Sequence, residues 1–173
     1  MRGKRIWRQS SVITAVLVLS VLVGQALAST KATPHNANKG AKRLVTVTET
    51  VAATTSSTSY VNLGSAPITV PGAKTAILEI RFAGESQCTG SALTWCTVRV
   101  LVDGAPADPN SGTDFAFDSA EAAQGSWESH SHDWTSAELT GGNHTVVVQW
   151  AATNAATEFR MDDWQLTVEE WFT

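Results

Sequence analysis

From Leu44 to the C-terminus, apolar and polar residues alternate with a period of two, in short runs broken by Gly, Pro, Asn and Asp. Such alternation marks half-buried strands joined by turns. In LVTVTETV (44–51) it puts Val45, Val47 and Val51 on one face. SYVNL (59–63) and PITVPG (67–72) read as two short strands with proline near their ends, where a missing N–H does least harm. AILEIRFA (76–83) turns Leu78, Ile80 and Phe82 inward and Glu79 and Arg81 outward. TWCTVRVLVDG (94–104) turns Cys96, Val98, Val100 and Val102 to one side and Arg99 to the other.

The last third repeats the pattern. A Gly-Gly-Asn turn in LTGGNHTVVVQWA (139–151) leads into a strand with Val146, Val148 and Trp150 on one side. TEFRMDDW and WQLTVEEWF form a final pair, the first with Phe159 and Met161 on one face, the second with Trp164, Leu166 and Val168 inward. Only DSAEAAQG (118–125) has the composition for a single helical turn. About eight to ten short strands and no apolar stripe of helical period predict an all-β fold: a single antiparallel β-sandwich, jelly-roll-like in its connections. An immunoglobulin-type sandwich would need its two cysteines far apart, around a tryptophan. Here Cys88 and Cys96 bracket only TGSALTW.

The N-terminal residues change the picture of where the chain works. Arg2, Lys4, Arg5 and Arg8 precede an apolar run, Val12 to Val23, which is followed by Ala26-Leu27-Ala28. Basic, apolar and then A-x-A is the layout of a secretory signal peptide, and the run is shorter than the ~20 residues of a membrane span. Three segments are therefore expected: a signal peptide (1–28), a disordered polar leader (29–43) and a β-sandwich domain (44–173), the mature protein being secreted without a stable membrane anchor. In an oxidising compartment the cysteine pair predicts a disulfide, stapling two neighbouring strands into a hairpin.

Charge then narrows the partners. The chain carries 12 Lys and Arg against 16 acids, a net of −4. From Leu44 onward only Lys74, Arg81, Arg99 and Arg160 face all 16 acids, a net of −12. Nucleic acids bind clustered Lys and Arg, so they are excluded as partners. Neutral polymers and divalent cations remain.

The closing run, LTGGNHTVVVQW followed by FRMDDWQLTVEEW, resembles the last strands of uncharacterised secreted bacterial β-sandwich proteins and the jelly-roll tips of phage fibres and cell-surface appendages. The resemblance covers roughly the last 35 residues and implies a sandwich with exposed loops. It carries over no catalytic residue.

Three features bear chemistry. In SHSHDW (129–134), His130 and His132 share one face of a strand, a workable spacing for two imidazoles on one zinc, with His144 as a third ligand. Asp133 points to the opposite face. The plainer expectation is that both histidines lie on a solvated face. In DGAPADPNSGTDFAFD (103–118), Asp108, Asn110 and Asp114 recur in the manner of oxygen ligands and admit a calcium ion, although Gly112 and Thr113 break the EF-hand pattern. A solvated turn explains the same residues. Otherwise no cofactor is implied. Six tryptophans follow the signal peptide, and Trp127 and Trp134, set among Ser, Glu and His, read as a stacking platform for sugar rings.

No G-x-S-x-G, Walker or H-E-x-x-H motif is present. Adjacent acids such as Asp162 and Asp163 point to opposite faces of a strand, so they cannot cooperate as a glycosidase pair. The expectation is a secreted, non-catalytic binding or adhesion module for a glycan or cell-surface polymer, using Trp127, Glu128, His130, His132 and Trp134. The alternatives are a structural subunit that buries these aromatics against another copy, as a homo-oligomer, and a small metal-dependent hydrolase.

Overall fold

A computed structural model describes residues 33–39, 42–121 and 125–173. The signal peptide expected over 1–28 lies outside them, as do residues 122–124 of the expected helical turn. The fold is all-β and antiparallel, with no helix among the described residues. Its strands are β1 (Thr33–Lys39), β2 (Lys42–Glu49), β3 (Ala53–Thr55), β4 (Val61–Thr89), β5 (Trp95–Val102), β6 (Ala105–Pro106), β7 (Asp118–Ser119), β8 (Glu128–Thr135), β9 (Leu139–Ala152) and β10 (Glu158–Phe172).

All ten strands join one hydrogen-bonded network in the order β1-β2-β10-β4-β9-β5-β6, with β3 on β10, β7 on β5 and β8 on β4. The 29-residue β4 belongs to two groups of strands. Its first part, from Val61 to Val70, pairs with β9. Its second part, from Ala76, pairs with β10 on one side and β8 on the other. The two strands expected at 59–63 and 67–72 are therefore the start of one long strand. Pro67 and Pro71 do not end it: Pro67 stays in register opposite Thr145, and Pro71 falls within the change of register between Val70 and Thr75.

Alternation places the core as expected along most of the chain. Leu78, Ile80 and Phe82 of β4, Val98 and Val100 of β5, Val146 and Val148 of β9 and Leu166 and Val168 of β10 are buried in one cluster. Two inward positions depart from it. Val51 lies past the end of β2 and is exposed, while Glu49 takes the buried place, its Oε1 accepting the N–H groups of Thr50 and Val51. The final pair of strands is one strand, β10, with an irregularity between Asp162 and Gln165. Simple alternation would send Met161 and Trp164 to opposite faces. The bulge, with Asp163 at φ 42°, lets both point inward.

Two expectations about connections change. Residues 33–39, expected within the disordered leader, form β1 and pair with β2. Edge pairing uses backbone groups and needs no apolar alternation, so nothing in TPHNANK announces it. Cys88 and Cys96 are bonded, with an S–S distance of 2.06 Å. They do not staple a hairpin, however. Cys88 lies opposite Phe159 of β10 and Cys96 opposite Ala152 of β9, so the bond ties β4 to a strand it does not pair with.

Candidate functional site

SHSHDW is most of β8, an edge strand paired along the second half of β4. Alternation gives it two faces of different character. His130, His132 and Trp134 point inward; Ser129, Ser131 and Asp133 point outward. The histidines thus share a face, as the spacing predicts, but it is not the solvated one. A loop after β6 covers them. Phe115 stacks on His132 with ring centres 4.7 Å apart and meets Trp134 edge-on, and Phe117 lies 5.5 Å from His130 and 5.7 Å from Phe82.

Trp134 is core, at 1% exposure, its Nε1 donating to Ser111 Oγ at 3.1 Å. It cannot form a stacking platform with Trp127. Aromatic residues from the loop complete the inner layer here, and single-strand alternation carries no information about a loop that arrives from elsewhere in the chain. Trp127 is exposed at 39%, with the Arg160 guanidinium 5.2 Å from its ring centre.

The inner face holds a small polar cluster at its open end. Asp118 of β7 sits opposite Cys96 and reaches across to β4, where its Oδ2 accepts the Ser86 hydroxyl at 2.6 Å. Its other oxygen stands 3.8 Å from His130 Nε2, which is 3.4 Å from Glu128 Oε2. Burial pushes the Asp118 carboxyl up, against the Ser86 hydrogen bond and the neighbouring His130.

The other candidate ligands lie apart from this cluster. His144 Nδ1 is 2.6 Å from Asp103 Oδ2 and its Nε2 is 2.8 Å from the Thr140 carbonyl. Both partners only accept, so both ring nitrogens donate, and neither has a lone pair for a metal. The side-chain hydrogen bond to Asp103 raises the His144 pKa and lowers that of Asp103. His144 therefore does not join His130 and His132 on one ion; β9 and β8 pair with different stretches of β4. In the loop considered for calcium, the carbonyls of Gly112 and Thr113 accept from Thr97 Oγ1 and Trp95 Nε1. Asp108, Asn110 and Asp114 are exposed on it, and Asp108 bridges its backbone to Thr135.

The outer face carries an open groove of about 470 Å³. Ala83 of β4 lies in it between Ser129 and Ser131 on β8 and Gln165 on β10, with Glu85 and Asp163 towards one end. Asp163 reaches the groove because the bulge in β10 sets it there. One outward position further along, Arg160 pairs with Gln87, and this arginine covers Trp127.

Ser129, Ser131, Ala83 and Gln165 were not among the candidates from sequence, nor were Asp118 and Ser86. The serines could have been found by keeping them in phase against an inward Trp134. Asp118 and Ser86 are 32 residues apart and meet only through the fold. No protein-family model matches the chain, and no curated protein is significantly similar to it.

Proposed function

We propose that the chain is an exported, non-catalytic binding module whose ligand is a neutral hydroxylated polymer of the glycan class, held in the groove over Ala83. The observation that carries this reading is the groove's composition. Two serine hydroxyls, an amide and two carboxylates, with His130 and Gly84 also lining it, surround a small apolar side chain, and such a surface offers donors and acceptors to sugar hydroxyls with room for a ring between them. Trp127 does not line the groove, but it is exposed beside Arg160, which pairs with Gln87 two residues past Glu85, and its ring face away from the guanidinium is offered for stacking. The net charge of −12 from Leu44 onward disfavours an anionic polymer.

A binding role is favoured over hydrolysis because Glu85 and Asp163 are both exposed. A glycosidase must keep one carboxyl protonated, which takes an apolar setting. Export is supported by the disulfide, which belongs to an oxidising compartment. No helix among the described residues is long and apolar enough to cross a membrane. The test is retention of the protein on neutral polysaccharides, compared with an Ala83→Trp variant that fills the groove.

A further inference from the structure

We propose that Asp118, Glu128 and His130 form a divalent-cation site on the inner side of β8, with zinc as the best-matched ion. This goes beyond the glycan reading and does not depend on it. One ligand atom from each of the three residues lies within 4.8 Å of the others. The separations are informative. His130 Nε2 stands 3.4 Å from Glu128 Oε2 and 3.8 Å from Asp118 Oδ1, and it is buried with no hydrogen-bond partner. Two ligands ~2.0–2.1 Å from a tetrahedral zinc stand roughly 3.4 Å apart, which is the His130–Glu128 separation, and the Asp118 oxygen needs to move by only a few tenths of an ångström to join them.

The three ligands are positioned by features that do not depend on an ion. Glu128 and His130 are two residues apart on one face of β8, and β4 holds that strand in register through Ser86↔Glu128 and Gly84↔His130. Ser86 engages Asp118 Oδ2 and leaves Oδ1 directed at His130. Phe117 lies against the imidazole and limits its movement. Asp118 is buried, so its negative charge is poorly solvated and gains from a nearby cation. One imidazole and two carboxylates make a borderline donor set that suits zinc. Three protein ligands, one of them the exposed Glu128, leave a fourth position for water or a ligand oxygen.

The test is equilibrium dialysis of the full-length protein, without a histidine tag, against zinc chloride, with retained metal measured by elemental analysis. The wild type is expected to retain one zinc per chain, and His144→Ala should retain the same amount. Glu128→Gln changes an exposed side chain at a strand end, so the fold survives it; it should bind zinc at least tenfold more weakly, as should His130→Ala. The proposal is overturned if the wild type retains no zinc, or if Glu128→Gln binds it as tightly as the wild type.

Discussion

The indole of Trp164 lies against the backbone of Gly64, so close that a Cβ at position 64 would stand 2.5 Å from Cη2 of the ring. Trp164 projects from β10, which pairs with the second half of β4, whereas Gly64 sits in the first half, which pairs with β9. The contact therefore presses the two groups of strands together, and Phe159 of β10 reinforces it against Trp150 of β9 at 5.2 Å. Gly64→Ala overpacks this point, since the buried Trp164 has little room to yield. A loss of about 1–3 kcal/mol is expected from urea unfolding.

Trp134, which ends SHSHDW, and Trp127, which precedes it, should respond in opposite ways. Trp134 is buried beneath Phe115, and its truncation to alanine leaves a cavity costing about 3–5 kcal/mol. Trp127 is exposed, and its truncation should change stability by no more than about 0.5 kcal/mol. Thermal melts of the two variants check this face assignment.

Cys88 and Cys96 are eight residues apart in sequence and both are buried. Closing so short a loop removes little entropy from the unfolded chain, yet the chain-entropy relation still gives about 2–3 kcal/mol. The double Cys→Ala variant should unfold at correspondingly lower urea, with a denaturant slope no smaller than the wild type's because its unfolded chain is less constrained.

The pair of His144 and Asp103 sets a pH dependence. The folded state favours the His144 imidazolium, so its contribution is complete below the ordinary pKa of 6.5 and is lost as pH rises through the raised value. Asp103 is held below its ordinary 3.8, so its contribution is complete above 3.8 and is lost as pH falls through the lowered value. The pair thus contributes most between pH 3.8 and 6.5. The stability gap between wild type and His144→Gln, from urea midpoints, should be wide at pH 6 and shrink by pH 9.

Much of this fold follows from alternation. The inward rows of β4, β5, β9 and β10 are what period two predicts wherever a strand runs without irregularity, as in Leu78, Ile80 and Phe82. Alternation is silent where the backbone departs from it. The bulge at Asp163 joins two apparent strands into one, and the register change after Val70 carries β4 past Pro71. Nor does a local pattern reveal which layer a strand's apolar side meets. In SHSHDW the shared face of the two histidines was legible, but its direction was not. That direction depends on Phe115 and Phe117, which the chain delivers from the loop after β6.

Retention on neutral polysaccharide tests the proposed binding surface most directly. Ala83 points out of the sheet, so Ala83→Trp should block the groove without disturbing the core, while Trp127→Ala removes the stacking face. Wild-type protein should be retained on at least one neutral polysaccharide, and each variant should weaken retention at least tenfold with its melting temperature kept. Equal retention of the wild type and Ala83→Trp would contradict a glycan site in this groove, as would a wild-type protein that binds no neutral polysaccharide.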